Sequence, residues 1–316
     1  MIDTLFEAYT PLIVWTGLGL LIFRFLPQWF PKILGRVLYW VGVPLELVAL
    51  ARQNSSVKYE NIASSSFLAP VITVGALTIG LVVTMSFLWG WKRFPLFNLS
   101  RASEGSFLLA GVLGNTGFVG LAIAPFLVDA DGLNFAVIFS ITHNVIGPYG
   151  LGVLISGYFS HTKSQNRWWV QLSNILTVPP LWAFIIGSLT TQIKLPNAIE
   201  LGLQQSVGIV IACAFLLTGI RLAQVKGWKS LKLAIAPAII RVFVIPLLVG
   251  IVISLLFDLS NSQRLAMVLM SGMPSAFAGL ILAEEYNLDR DLIASSIFLS
   301  TLLLLFVLPL WIVIFG

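Results

Sequence analysis

The chain has few charged residues: Asp, Glu, Lys and Arg together make up 10% of its 316 residues, whereas 58% are hydrophobic. A soluble domain carries about a quarter charged residues, and so small a charged fraction cannot cover the surface of a soluble globule of this size. This shortage excludes an ordinary soluble enzyme, a nucleic-acid-binding protein and a disordered chain. We therefore expect an integral membrane protein that is surrounded by lipid and has no nucleic-acid partner.

Cysteine and histidine are also scarce. Cys213 is the only cysteine and lies in an apolar run, so the sequence predicts neither a disulfide framework nor a cysteine metal site. Metal or acid–base catalysis needs clustered His, Glu or Asp side chains, and the predicted spans hold little beyond His143 and Glu46. His161, the other histidine, is expected in a cytoplasmic loop. An intramembrane hydrolase is therefore disfavoured, and we expect no enzyme activity, no metal and no organic cofactor.

Long apolar runs are abundant. A run of about 20 residues spans the bilayer core, which is about 30 Å thick. The runs predict an all-α polytopic membrane protein with ten transmembrane helices, joined by loops too short for a soluble domain. The predicted spans lie near residues 4–26, 33–51, 65–91, 104–128, 133–159, 168–192, 199–221, 231–257, 264–286 and 291–315. No cleavable targeting segment is visible, so the first span is expected to stay in the mature protein.

Basic residues are divided unequally between the two sets of loops. Thirteen Lys and Arg side chains fall near the loops that follow the odd-numbered spans, and four fall on the opposite side. Because basic loops stay in the cytoplasm, we expect both termini on the non-cytoplasmic side of the cell membrane.

The second half of the chain resembles the first. Residues 112–139 aligned with residues 271–298, a shift of 159, give seven identities in 28 positions. Each half would hold five spans, and two copies of an odd number of spans enter the membrane in opposite senses. The sequence therefore predicts a 5+5 inverted repeat, with halves 1–160 and 161–316, which is typical of transporters.

Two corresponding spans contain helix-breaking residues at their centres. Span 4 has Gly114 and Gly117 around Asn115 and Thr116, and span 9 has Gly272, Pro274 and Ser275. Proline within a helix costs about 3 kcal/mol or more, and such backbone persists in a membrane only when it is buried in protein or lines a cavity. We expect both spans to be broken and to cross at mid-membrane. Pro274 would then open a restarted half-helix, and Asn115, Thr116 and Ser275 would cap freed backbone groups.

The N-terminus of a half-helix offers free N–H donors and a partial positive charge, which favour an anion such as a carboxylate. The predicted substrate-binding residues are Gly114, Asn115, Thr116, Gly117, Met273, Pro274 and Ser275. The alternative is a structural kink with close glycine-mediated packing of helices.

Four further polar residues lie within predicted spans, where charges usually face the bundle interior. Glu46 is either an interfacial or paired carboxylate near Arg52, or a proton-coupling group. Arg241 contacts substrate charge, pairs with Glu46 or binds backbone. His143 and Asn144 are level with the break in span 4, where a histidine would carry protons or bind a carboxylate. The other interpretation is a structural hydrogen bond between helices.

These motifs resemble the auxin efflux carrier family in its compact, prokaryotic-like form. Residues 114–122 read GNTGFVGLA, where the family has a PNTGFLGLP-like stretch in span 4. Met273-Pro274 and the AEEYNLD of residues 283–289 resemble span 9 and the turn that follows it. Gly114 and Ala122 stand where the family has proline, and the long cytosolic loop of the plant auxin exporters is missing.

The resemblance covers the whole chain and implies a fold related to bile acid/sodium symporters. It implies a scaffold domain of helices 1, 2, 6 and 7, a transport domain of helices 3–5 and 8–10, elevator-type alternating access and a homodimer. It also implies secondary active transport of small organic anions, auxin-like or malate-like carboxylates, with H⁺ or Na⁺ as a possible coupling ion. Asn115 matches the asparagine that lies beside the substrate carboxylate in that family. A passive anion channel or a uniporter on the same fold is the alternative.

Overall fold

The computed structural model describes residues 2–27, 29–53, 67–93, 99–160, 179–191, 193–224 and 228–316. Their secondary structure is helical apart from turns and one isolated β-bridge. The helices of the first half are α1 (Ile2–Ile22), α2 (Phe30–Val37), α3 (Val43–Gln53), α4 (Leu68–Arg93), α5 (Arg101–Val112), α6 (Leu121–Leu127), α7 (Ala130–Ile146) and α8 (Val153–Phe159). Those of the second half are α9 (Pro179–Leu189), α10 (Asn197–Ala223), α11 (Trp228–Ile239), α12 (Ile245–Leu256), α13 (Asn261–Ser271), α14 (Phe277–Glu285) and α15 (Arg290–Phe315). His161 and residues 168–178 of the predicted sixth span lie outside the described residues.

Five helices are long and apolar enough to cross a membrane: Leu68–Arg93, Ala130–Phe159, Asn197–Ala223, Ser230–Leu256 and Arg290–Phe315. Each coincides with a predicted span. Tyr9–Phe25 and Thr116–Leu127 are shorter apolar helices. An all-helical membrane protein is thus confirmed.

Three helix pairs are continuous through a widened, π-helical turn. Leu38–Gly42 joins α2 to α3, Gly147–Gly152 joins α7 to α8, and Ile240–Val244 joins α11 to α12. π-Turns inside α-helices are frequent at functional sites. The third of these turns carries Arg241, so the side chain leaves its helix where the backbone is locally widened.

Spans 4 and 9 are each interrupted. In span 4, α5 ends at Val112, Leu113 is extended, and helical structure restarts at Thr116 in a π-turn that leads into α6. In span 9, α13 ends at Ser271 and α14 begins at Phe277. The expectation that Pro274 occupies the first position of the second half-helix is wrong, because Pro274 lies in the non-helical segment before that helix.

Corresponding helices of the two halves begin at similar capping residues. Ser100 and Ser260 cap α5 and α13, and Asp129 and Asp289 cap α7 and α15. The members of each pair are 160 residues apart, one residue more than the shift used in the sequence comparison. A Ser side chain forms an N-cap because it accepts a hydrogen bond from a free backbone N–H in the first turn.

The two halves are tied together at these helix starts. The Ser103 hydroxyl in α5 donates to the Asp289 carboxylate at 2.7 Å, and Asp129 N–H donates to the Ser262 hydroxyl of α13 at 2.9 Å. Hydrogen bonds from Gly132 N–H and from Ser262 hold the pKa of Asp129 below its usual range. The carboxylate therefore stays charged at the positive end of α7, where a negative charge is stabilising.

The helices pack in two main groups. In one, α1 lies against α10, and α3 lies against α9 and α10. Arg52 at the end of α3 donates to the carbonyls of Thr190 and Ile193 and pairs with Glu200 at 3.1 Å, which ties α3 to the loop before α10. In the other group, α4, α7, α12 and α15 surround the two interrupted spans, to which α13 belongs, and this group supplies most of the largest hydrophobic cluster.

Candidate functional site

The two interruptions meet in the interior and run antiparallel. Asn115 N–H donates to the Pro274 carbonyl at 2.7 Å, and Ala276 N–H donates to the Leu113 carbonyl at 2.9 Å. These two bonds flank the bridge between Gly114 and Ser275. The non-helical backbone of each span thus satisfies part of its hydrogen bonding with the other, as buried irregular backbone in a membrane requires.

Side chains from α7 and α15 hold the centre of this crossing. Gly114 N–H donates to Nε2 of His143 in α7 at 3.3 Å, and Ser275 N–H donates to the Ser300 hydroxyl in α15 at 3.0 Å. The Ser275 hydroxyl donates to the Ala110 carbonyl at 2.8 Å. Since Nε2 of His143 accepts a hydrogen bond, its imidazole is neutral in this arrangement.

Arg241 lies at the carboxyl ends of both first half-helices and is 2% exposed. Its Nε donates to the Met273 carbonyl at 2.9 Å, and its Nη1 donates to the Val112 carbonyl at 3.0 Å. Its Nη2 has no hydrogen-bond partner. Among the residues that the structure describes, no ion pair includes Arg241, so the predicted pairing with Glu46 is wrong and the predicted backbone contact is observed.

The second half-helix of span 4 is capped by Asn115. Its Oδ1 accepts from Phe118 N–H at 3.3 Å, which leaves the side-chain NH₂ group as a donor. Thr116 and Gly117 occupy the first turn, where backbone N–H groups have no partner within the helix. Ser275 also caps a freed backbone group, because its hydroxyl donates to the Ala110 carbonyl at the end of α5, although α14 itself lacks a side-chain cap. The predicted cap at Thr116 is wrong, because Thr116 is already inside the turn.

A short polar chain runs along the same half-helix. The Asn144 side chain donates to the Ser140 hydroxyl at 3.3 Å, and that hydroxyl donates to the Thr116 hydroxyl at the same distance. Asn144 also borders Gly117, whose added Cβ would lie 3.4 Å from its Nδ2. Both predicted polar residues of span 5 therefore lie beside the break in span 4, as their depth in the sequence predicted.

The structure brings ten of the eleven candidate residues to this crossing: Gly114, Asn115, Thr116, Gly117, His143, Asn144, Arg241, Met273, Pro274 and Ser275. Glu46 is the exception. It lies in α3, whose main contacts are with α9 and α10, and it is 1% exposed with no partner for either carboxylate oxygen. The interpretation of Glu46 as a paired carboxylate is therefore wrong, whereas an interfacial position and a proton-coupling role stay predictions.

Sequence reasoning missed Ser140 and Ser300, the hydroxyls that hold Thr116 and Ser275. The sequence did contain a pattern that could have indicated Ser300. Four hydroxyl residues of the otherwise apolar α15 are all buried: Ser295, Ser296, Ser300 and Thr301. Ser and Thr side chains in membrane helices hydrogen-bond to neighbouring helices, as the Ser300 hydroxyl does by accepting the Ser275 N–H.

The crossing offers backbone N–H groups, an amide side chain and one guanidinium, which are groups that bind anions. Metal ligands are not gathered there: within the described parts of the chain, no three His, Cys, Asp or Glu side chains are placed to hold a metal ion.

Comparison with known proteins identifies the chain as a membrane transporter. Residues 12–312 match the family described as membrane transport protein. An uncharacterized transporter of Methanothermobacter thermautotrophicus is 30% identical over 89% of this chain and 88% of its own length. Uncharacterized transporter MJ1031 of Methanocaldococcus jannaschii is 27% identical over 92% and 91%, and uncharacterized transporter YfdV of Escherichia coli is 26% identical over 73% and 74%. The chain therefore belongs to the auxin efflux carrier-type family of membrane transport proteins, as its span 4 and span 9 motifs predicted.

Proposed function

We propose that this membrane transporter is a secondary active carrier of small organic anions, auxin-like or malate-like carboxylates, and that it binds them at the crossing of the two interrupted spans. The observation that carries the proposal is the juxtaposition of Arg241, the Asn115 side chain and the first-turn amides of Thr116 and Gly117. A carboxylate takes up hydrogen bonds from all three kinds of donor. Met273, Pro274 and Ser275 shape the opposite side of the site.

The protein has ten spans in this proposal, arranged as a 5+5 inverted repeat with halves 1–160 and 161–316. The paired N-caps and the antiparallel bridge between Gly114 and Ser275 support it. Both termini lie on the non-cytoplasmic side of the cell membrane, which the distribution of Lys and Arg supports. The protein works as a homodimer, as its resemblance to auxin efflux carriers implies.

Helices of spans 3–5 and 8–10 carry the bound anion past spans 1, 2, 6 and 7 in an elevator-type movement. The packing of the helices in two main groups supports this division. Phe118, three residues after Asn115, packs against a small cluster formed by Leu38 and by Val210, Ala214 and Leu217 of α10. The candidate site therefore adjoins the boundary between the two groups, where a moving site would exchange its surroundings.

Purified protein in liposomes tests the assignment of the site. We expect saturable uptake of radiolabelled malate or a related carboxylate that is accelerated by unlabelled substrate inside the vesicles. Asn115→Asp keeps the cap on Phe118, because Asp and Asn cap helices equally well, but removes the NH₂ donor and adds a negative charge. Uptake should fall about tenfold or more, while the thermal unfolding midpoint stays close to that of the wild type.

Asn197→Ala is the matched control, because Asn197 is an exposed asparagine in the first turn of α10. Full uptake by the Asn115→Asp variant would exclude Asn115 from the site. Currents that saturate with anion concentration but show no acceleration by internal substrate would assign the protein as a passive anion channel instead.

A further inference from the structure

The guanidinium of Arg241 lies at the junction of two helix C-termini. Its two bonded carbonyls both lie where a first half-helix ends: Val112 closes α5, and Met273 follows α13 by two residues. Each carbonyl is at the negative end of its half-helix. In transporters with broken helices, unwound carbonyls and the C-terminal ends of half-helices are the groups that coordinate a mobile Na⁺ or H⁺.

We propose that Arg241 is a resident cation that takes the place of a mobile Na⁺ at this crossing, so that substrate transport requires no Na⁺. The prediction about uptake without Na⁺ rests on the proposed function. The prediction that Arg241 stabilises the two helix ends rests on its contacts alone. The cation is carried on the π-turn between α11 and α12 and bonds to both interrupted spans. It therefore balances the two helix ends whether or not an ion is present in solution.

Gly114 supports the inference independently. A Cβ at position 114 would lie 1.8 Å from Nη2 and 2.6 Å from Cζ of Arg241, so the guanidinium rests directly on the bare Cα. Any other residue displaces the cation. The related span-4 motif of auxin efflux carriers has proline at this position, which carries a Cβ and lacks the N–H that Gly114 donates to His143. Gly114 and Arg241 thus fit together as a pair that a proline would exclude.

The positive charge of Arg241 also selects for a negatively charged substrate. In the described residues no carboxylate forms an ion pair with it, and its Nη2 lacks a hydrogen-bond partner. A buried cation without an anionic partner is costly. An anion in the adjacent site lowers that cost, so a resident guanidinium favours a substrate with a carboxylate over a neutral one.

The first test compares uptake by the wild-type protein in Na⁺ buffer with uptake in N-methyl-D-glucamine buffer at the same ionic strength. Equal rates are expected. Uptake that requires Na⁺ would overturn the inference but would leave the proposed function valid, since the anion would still be transported.

The second test removes the side chain and supplies its cation separately. The Arg241→Ala variant should lose about tenfold or more of its uptake and unfold at a lower temperature. Guanidinium at low millimolar concentration should raise its unfolding midpoint in the absence of substrate. Arg264→Ala is the matched control, because Arg264 also donates to a backbone carbonyl, that of Leu259, but lies at the start of α13. Its midpoint should not respond to guanidinium.

Two further variants keep the test decisive if Arg241→Ala does not fold. Gly114→Ala should displace the guanidinium and lower both uptake and midpoint, while Gly75→Ala in α4 adds a Cβ in open space and should change neither. Wild-type behaviour of Gly114→Ala would overturn the inference. The two proposals can also fail separately. If guanidinium stabilises Arg241→Ala but the wild-type protein transports none of the tested anions, the cation role is supported and the proposed function is refuted.

Discussion

His143 has a structural contact at a position where the sequence allowed either a titrating group or a hydrogen bond between helices. It is 1% exposed, its ring stacks on Phe139, and its Nε2 accepts the N–H of Gly114. Protonation of Nε2 would replace this acceptor with a second donor facing Gly114 N–H and would bring positive charge close to Arg241. The hydrogen bond therefore assigns His143 to anchoring the break in span 4.

This assignment predicts different outcomes for two substitutions of His143. Glutamine retains an acceptor for Gly114 N–H, so His143→Gln should keep most of the uptake and the wild-type dependence of uptake on pH. Leucine leaves a buried N–H without a partner, so His143→Leu should lower the free energy of unfolding by about 1–3 kcal/mol. Uptake measured between pH 5 and 8 in liposomes, together with thermal unfolding, checks both.

A shifted pH profile in the glutamine variant would contradict the anchoring role and assign proton coupling to His143. Thr142→Val is the control, because the Thr142 hydroxyl donates to the Ile138 carbonyl of its own helix and, among the described residues, has no bond to the crossing.

At the scale of helices, hydrophobic length and helix-breaking residues predicted much of the architecture. The five long apolar helices follow from runs with almost no charge, and Gly114 and Pro274 marked the interruptions because neither supports a continuous helix. The point at which a half-helix restarts was not predictable. It depends on where the partner segment supplies hydrogen bonds, as Leu113 does for Ala276.

The partners of the buried charged side chains were likewise not predictable from the sequence. Glu46 and Arg241 were the two charges placed firmly within spans, and opposite charges in a membrane favour pairing. Arg241 instead binds two carbonyls, of Val112 and Met273, that become available only because both helices end there. A sequence shows side chains but not which backbone groups a tertiary contact leaves unpaired.

Close approach of α1 and α10 depends on two glycines that face each other. A Cβ on Gly19 would lie 2.2 Å from the Leu216 carbonyl oxygen, and a Cβ on Gly219 would lie 2.0 Å from that of Thr16. Small residues let membrane helices approach until their backbones touch. Gly17, two residues away on α1, has open space at its Cβ position.

We therefore predict that Gly19→Ala lowers the unfolding midpoint and that Gly17→Ala does not. The added methyl group of Gly19→Ala meets backbone atoms, which cannot move aside, and such overpacking typically costs about 1–3 kcal/mol. Thermal unfolding of the two purified variants in the same detergent measures the difference. Equal midpoints would show that the two helices separate without loss of stability.

At the scale of the whole molecule, the two helix groups meet where the candidate site lies. The crossing belongs to the group built on α4, α7, α12, α13 and α15, yet its Phe118 side chain packs on the small cluster of α10. Elevator-type movement requires contacts of this kind to break and re-form during each cycle. A transporter that keeps them fixed would have to open and close its site by local changes alone.

The single cysteine offers a direct test of that movement. Cys213 of α10 and Phe118 pack against the same cluster of Leu38, Val210, Ala214 and Leu217. In the Phe118→Cys variant, a short bifunctional thiol reagent should link Cys213 to the new cysteine and so join the two helix groups. The link should stop the uptake that the untreated variant retains. A reducing agent that cleaves the link should restore uptake. The double variant Phe118→Cys, Cys213→Ser should be insensitive, because it offers one thiol. Continued uptake by fully cross-linked protein would show that these groups do not move past each other, and that the anion crosses by another route.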